Sequence, residues 1–408
     1  MDNSLLAVRD ITHKYIVVER RKKMGYEEIL QDIPVSEYQE RLAKTKAGME
    51  KIGLDGLLVY SDAARMSNVR WLADYRAFDG VFPYPAMVFV PLNGDPILFA
   101  EGSLVGYASD KTWFDDTRGI RQELGNVVKD FTSRHPGAKI GLSGAKYCAL
   151  EFYEQIMSNI GNGTLEKTML IENLKSVKSE REIRNMKVAG ELADRGLWKI
   201  KEMLESEKNL TEREVARQAM AEMFRLGADT KSFDIMVQSG VNAERWFLAY
   251  PTDKIIQKGE TVLIDIGIRY NDYSSDMARG VGYGALSDEQ ERLLDTCLEA
   301  WRQGVAALRP GMTGKEADVA ANEVMRQAGY IHFAGEGRGC AHSTGMDPEE
   351  EIPTIGPDSD DVLQVNQTFC FEITLCEPGV GGTRIEDTIV LRQDGAESLT
   401  NFPKRNRW

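Results

Sequence analysis

Histidine is scarce in this chain. Its 408 residues hold only four, His13, His135, His332 and His342. Chemistry that needs several imidazoles therefore has few places to go, and any metal site must lean on carboxylates. The five cysteines, Cys148, Cys297, Cys340, Cys370 and Cys376, are odd in number and lack zinc-ligand spacing, Cys370 and Cys376 being six apart. That pattern reads as reduced thiols in a cytoplasmic protein. No apolar run approaches the ~18 residues of a membrane span. The start, Met1-Asp2-Asn3-Ser4, has no charged region followed by an apolar stretch, so no signal peptide is expected. Basic charge is in deficit, with 50 Lys and Arg against 64 Asp and Glu for a net charge of −14. This argues against a nucleic-acid partner, which needs a basic face. The tract Arg20-Arg21-Lys22-Lys23 reads as a solvated helix face.

What is present suffices for real cores. The hydrophobic fraction is 42%, and at roughly 150 residues per domain the length fits two or three domains. Residues 1–34 are polar and read as an N-terminal extension. Residues 35–170 alternate helix and strand patterns and predict an α/β domain. Its helices are Tyr38–Ile52, Gln122–Ser133 and Lys146–Ile160; its strands lie at Gly56–Tyr60, Ala86–Val90, Pro96–Ala100 and Lys139–Leu142. Residues 171–408 read as an α+β domain. The pair Ser179…Glu182 is a capping box that opens a long helix, and Thr211…Glu214, Ser287…Gln290 and Thr313…Glu316 repeat that start. Strands are expected at Thr261–Arg269, Ser274–Gly284, Gln367–Leu375 and Gly382–Arg392.

Acidic residues sit inside those apolar strands. Asp265 follows Val262-Leu263-Ile264, and a lone buried carboxylate is expensive unless paired or metal-bound. A hairpin turning between Tyr270 and Asn271 makes Asp265 and Asp276 direct cross-strand neighbours, with Cβ atoms ~5 Å apart. Two carboxylates that close repel unless a cation lies between them. The alternative is a turn-capping Asp276 and a half-exposed Asp265. Glu372 and Glu386 repeat the pattern, and a hairpin centred on Gly379 sets them opposite each other. His342 lies in the small-residue segment Gly339–Gly345, where a metal or substrate can approach the backbone. Four carboxylates and one imidazole would hold two divalent ions ~3.5–4 Å apart with a hydroxide between them. Mixed oxygen and nitrogen donors fit Mn, Fe, Co or Zn, with oxygen dominance favouring Mn or Fe.

The order Asp-x-Gly…Ser-Asp-x-x-Arg, then a histidine in a glycine-rich strip, then two glutamates ending in Gly-Gly-x-Arg-Ile-Glu-Asp resembles the pita-bread metallopeptidases. In particular it is similar to the Xaa-Pro aminopeptidase, prolidase and creatinase branch, from about Val35 onward. The resemblance implies an α/β N-terminal domain, a pita-bread catalytic domain and a homodimer. It also implies that Asp265 chelates one ion, Asp276 and Glu386 bridge two, and His342 and Glu372 complete the other. Glu377, before Pro378-Gly379, competes with Glu372 for the first glutamate position; the fourteen-residue step to Glu386 favours Glu372. Glu372 and His342 are the catalytic candidates, Glu372 as general base and then acid.

This sequence also departs from the family. Its peptidases carry a histidine where Phe247 or Leu248 stands, and another where Glu349 stands. The metal site thus reads as complete while the peptidase apparatus does not. Trp246, Phe247, Tyr250, Glu349 and Arg384 are substrate-binding candidates. For the aromatics core packing competes, for Arg384 an ion pair with Asp387 or Glu386, and for Glu349-Glu350-Glu351 a solvated charge run. The reading is a dinuclear metallohydrolase that cuts a C–N bond in a small amino-acid derivative or dipeptide, without nucleic-acid or membrane partners. Its rivals are a metal-dependent lyase of the dimethylsulfoniopropionate lyase type and a non-catalytic binding module.

Overall fold

The computed structural model describes residues 33–206, 208–245, 250–334, 339–404 and 407–408. The extension expected over residues 1–34 and the basic tract within it lie almost wholly outside the described residues. The chain forms two compact units that meet in sequence between Val177 and Lys178.

The first unit opens with helix α1 (Val35–Ile52), which buries Tyr38, Arg41, Thr45 and Met49 at steps of three and four. It stops at Gly53, whose φ of 73° is the left-handed conformation glycine adopts freely. The unit's main sheet has six strands: β1 (Gly56–Ser61), β2 (Ala86–Pro91), β3 (Ile97–Ala100), β4 (Asp116–Gly119), β5 (Lys139–Ser143) and β6 (Thr164–Lys167). Their order is β4-β3-β2-β1-β5-β6. Helices α2 (Ile120–Arg134) and α3 (Leu150–Asn159) cover the sheet through Leu124, Val128, Phe152 and Ile156. The two strands of this sheet not foreseen, β4 and β6, are its edges. Their sequences, Asp-Thr-Arg-Gly and Thr-Leu-Glu-Lys, have no apolar alternation because an edge strand buries little.

In the second unit, helix α4 (Glu180–Ser206) begins at the expected capping box: Ser179 N donates to Glu182 Oε2 at 2.8 Å and Glu182 N to Ser179 Oγ at 3.3 Å. Helices α5 (Glu212–Leu226), α6 (Asp288–Ala307) and α7 (Gly314–Ala328) start on Thr211, Ser287 and Thr313. The large sheet contains β7 (Met236–Ser239), β8 (Glu260–Ile266), β9 (Met277–Tyr283), β10 (Ala341–Ser343), β11 (Glu350–Ile355), β12 (Thr368–Glu377), β13 (Gly381–Arg392) and β14 (Gly395–Ser398). The order is β7-β8-β9-β13-β12-β10-β11, with β14 on β13.

Alternation divides the two faces of this sheet. Val262, Ile264, Ile266, Met277 and Val281 join the core made with α4 and α5. Phe369, Phe371, Ile373, Ile385 and Ile389 join the core made with α6 and α7. The intervening residues, Asp265, Ala278, Glu386 and Glu372 among them, face the other way.

The first hairpin corrects one expectation. Asp265 pairs with Ala278, not Asp276. The turn falls on Asn271 and Asp272, at φ 47° and 66°, the two residues there that tolerate left-handed backbone. It lies one position later than the expected turn, which moves the register by two residues. A shift of two preserves the face, so Asp276 becomes a diagonal neighbour of Asp265 on the same side. The second hairpin pairs Glu372 directly with Glu386, as a turn centred on Gly379 requires.

Candidate metal centre

One rung runs across four strands: Asp265 on β8, Ala278 on β9, Glu386 on β13 and Glu372 on β12. The alanine leaves room for the acids on either side of it. Another rung joins His342, Cys370 and Thr388. Thr388 Oγ1 ties this rung to Asp276, accepting from its N at 2.9 Å and donating to its O at 2.8 Å. His342 Nε2 lies 3.4 Å from Glu386 Oε1 and 3.7 Å from Asp276 Oδ2. Glu377 lies five residues beyond Glu372, about 17 Å along the strand and on the opposite face. It pairs with Gly381 and is not brought to the group.

Arg384 enters from the same strand as Glu386. Its guanidinium bonds Asp265 Oδ2, lies 3.4 Å from Glu372 Oε1, and donates from Nε to Thr374 Oγ1 at 2.7 Å. Thr374 Oγ1 in turn donates to Glu372 Oε1 at 3.0 Å. The ion pair that competed for Arg384 in the sequence is thus made, but with Asp265 and Glu372 rather than Asp387 or Glu386.

One arginine does not balance four buried acids. Asp265 Oδ1, Asp276 Oδ1 and both carboxylate oxygens of Glu386 are buried with no hydrogen-bond donor among the described residues. Buried polar atoms are normally satisfied. Burial pushes the Asp265 carboxyl up to about 7 against the pull of Arg384. Burial, with Glu386 and Asp265 nearby, holds Asp276 well above the usual carboxylate range. Glu386 is raised by burial and by Glu372. Burial alone would lower His342, but Glu386, Glu372 and Glu349 outweigh it and carry the imidazole to about 9. The carboxyl shifts report burial first and mutual repulsion second, and the imidazole shift reports the negative charge around it. Asp276, His342, Cys370 and Glu386 bring one donor atom each to within 4.8 Å of one another. Orphaned oxygens, an imidazole and a shared focus are the donor set a divalent cation needs, so the residues fit a metal.

A cavity of about 440 Å³ opens beside His342 and Glu372, with Glu349, Glu350, Pro353 and Asp358 in its wall. Glu349 is exposed there. Glu350 corrects the expectation of a solvated acidic run: it is buried and pairs with Lys178 Nζ at 2.8 Å. Tyr250 is 66% exposed and not part of that wall. Trp246, Phe247 and Leu248 lie outside the described residues.

Sequence reasoning missed Thr374 and Cys370, whose signal was available: both lie two residues from Glu372 and so share its face. It also missed a buried cluster behind the site. Arg279 donates to Glu386 O at 2.6 Å, to Phe402 O at 2.7 Å and to Asp387 Oδ1 at 2.6 Å.

An α/β unit followed by an antiparallel sheet backed by two helix pairs, with carboxylates and a histidine gathered on its open face, defines the pita-bread class of metal-dependent hydrolases. Comparison with known proteins gives the family. Residues 184–393 match the model of metallopeptidase family M24, and residues 41–177 match the creatinase/prolidase N-terminal domain. A Xaa-Pro dipeptidase of Pyrococcus horikoshii is 32% identical over 373 residues, which covers 88% of this chain and 97% of the relative. An uncharacterized peptidase of Bacillus subtilis is 28% identical over 89% of this chain and 98% of its own length. The solved structure of a Xaa-Pro dipeptidase from Bacillus anthracis aligns with TM-score 0.80 at 25% identity, covering 91% of this chain and all of that one. The chain belongs to metallopeptidase family M24. No helix among the described residues is long and apolar enough to cross a membrane.

Proposed function

We propose that this protein is a dinuclear metal-dependent hydrolase that cleaves an amide-type C–N bond in a small amino-acid derivative or dipeptide. The observation that carries the reading is the set of orphaned oxygens on Asp265, Asp276 and Glu386 beside Glu372 and His342. Asp265 would hold one ion, Asp276 and Glu386 both, and His342 with Glu372 the other. When bound, divalent ions of the Mn, Fe, Co or Zn type bring a water toward neutral acidity and polarise a carbonyl.

The side chains do the rest. Glu372 takes a proton from the attacking water and hands it to the leaving amine. Thr374 and Arg384 fix the orientation of that carboxylate. Arg384 also supplies positive charge toward an oxyanion. Glu349 in the cavity wall favours a substrate carrying an ammonium group. From the sequence alone, Tyr250, Trp246 and Phe247 are proposed to contact substrate. Two of the relatives named above are Xaa-Pro dipeptidases, and a dipeptide lies within the proposed class. The reading includes a cytoplasmic homodimer, which sedimentation and cell fractionation check.

The decisive experiment is a substrate panel on metal-loaded protein, spanning Xaa-Pro dipeptides, small N-acyl amino acids and betaine-type compounds. Release of a free amine supports the reading. Release of an unsaturated acid instead moves the protein to the lyase class. No turnover of any compound by protein carrying its metal favours a binding module.

A further inference from the structure

We propose that Cys370 supplies a sulfur donor to the cation that Asp276, His342 and Glu386 hold, so that this position prefers zinc, cobalt or ferrous iron to manganese. The inference rests on the metal reading above and deepens it.

Strand parity comes first. Phe369, Phe371 and Ile373 on β12 turn to the helical core, so Cys370 faces the same way as Glu372. Register comes second: Cys370 is opposite His342 on one side and Thr388 on the other. The third observation is proximity. The sulfur, one imidazole nitrogen and one oxygen each from Asp276 and Glu386 all lie within 4.8 Å of one another. Metal–oxygen and metal–nitrogen bonds of ~2.1 Å and a metal–sulfur bond of ~2.3 Å would set the donors of one ion no more than ~3.6 Å apart where they are neighbours. The widest pair therefore closes by about 1 Å, within reach of a small side-chain rotation.

Among the described residues the sulfur's other polar neighbours are the hydroxyls of Thr344 and Thr388. Its neighbour Thr388 Oγ1 is 4.0 Å away and already bonded to both backbone groups of Asp276. The other cysteines are placed elsewhere. Cys297 reaches Ile373 O at 3.1 Å, and Cys340 reaches Asn322 Oδ1 at 3.7 Å. Both oxygens of Glu386 and Oδ1 of Asp276 are buried with no donor among the described residues at the same focus, an independent sign that a cation belongs there. As the metal–sulfur bond forms, the S–H bond breaks and its proton passes to water. A thiolate then shifts selectivity toward ions softer than manganese.

The test loads metal-free protein with cobalt(II) and records its absorption. Wild-type protein should gain a near-ultraviolet sulfur-to-cobalt charge-transfer band. Cys370→Ser should bind cobalt in the same ratio without that band, and its preference for zinc over manganese should fall about tenfold. X-ray absorption on zinc-loaded wild type needs no variant and should show a sulfur shell at about 2.3 Å. Cobalt bound without the band, zinc bound without the sulfur shell, or a band that survives in Cys370→Ser each overturns the thiol ligand and leaves the carboxylate–imidazole site standing. Failure of wild type to take up either metal overturns both.

Discussion

Glu386 and Asp387 are consecutive on one strand and both are fully buried, yet the protein treats them in opposite ways. Asp387 points to the helical face. Arg279 reaches it at 2.6 Å, Thr400 Oγ1 at 2.7 Å and Lys404 Nζ at 2.8 Å. Glu386 points to the open face, where neither oxygen has a hydrogen-bond donor among the described residues and the His342 imidazole lies 3.4 Å away. A buried carboxylate left unpaired is strongly destabilising, and a paired one is close to neutral. The same fold supplies the partners one residue away, so the deficit on the open face is a property of the site. Arg279 also links the faces, since it bonds the Glu386 carbonyl from behind while it neutralises Asp387.

Substitutions break this contrast in opposite directions. The largest expected effect is on the open face. Glu386→Gln or Asp276→Asn should weaken metal binding by about 100-fold or more, beyond the range for residues that merely orient ligands. Activity should go with it, while the metal-free protein stays as stable as before or gains, because a repelling charge has been removed. Elemental analysis and thermal unfolding with and without chelator check both halves. An unchanged metal content would show that these oxygens hold nothing. Behind the sheet the signs reverse. Arg279→Met should cost about 3 kcal/mol of stability whether or not metal is present, since it removes a buried ion pair to Asp387 and the bonds to the Glu386 and Phe402 carbonyls. Denaturant midpoints of the loaded and metal-free protein should fall together.

A third prediction uses pH. Without metal, the folded-state pKa of Asp265 is about 7 and that of His342 about 9, both above their unfolded values, and Asp276 and Glu386 are raised as well. A raised folded pKa gives stability that is complete at low pH and is lost as pH climbs through it. Metal-free protein should therefore lose thermal stability progressively from about pH 4, where the carboxyls of the unfolded chain ionise, to about pH 9. Cations compete with those protons, so the gap between loaded and metal-free midpoints should widen over that window. A flat metal-free profile would mean that the open face is compensated in another way.

How much of this was legible in the sequence follows from what each residue does locally. Acids inside apolar strands are visible, because period-two alternation makes Asp265, Glu372 and Glu386 conspicuous. The second hairpin was readable to the residue, since Pro378, Gly379 and Gly381 leave little choice of turn. The first was misread by one position, because Tyr270, Asn271 and Asp272 offer competing turns and only the backbone angles decide. Its face survived because the resulting shift was even. Polar edge strands such as Asp116–Gly119 carry no pattern. The partners of Glu350 and Asp387 were invisible for a different reason: Lys178 and Arg279 lie 172 and 108 residues away, and a single chain records no such pairing.

The smallest effect sharpens the contrast most, because it separates holding a metal from using it. Thr374 touches no orphaned oxygen. Its hydroxyl accepts from Arg384 Nε and donates to Glu372 Oε1, and so fixes how the proposed base is presented. Thr374→Val keeps the shape and removes both bonds, the one to Glu372 being worth about 1–1.5 kcal/mol. If Glu372 works by moving a proton, kcat should fall about tenfold while metal content and KM stay as they were. Thr374→Ser, which restores the hydroxyl, should recover most of the rate. A loss of metal in the valine variant would place Thr374 among the groups that support the ions. An unchanged kcat would remove Glu372 orientation from the chemistry and leave the open face as a metal-binding surface alone.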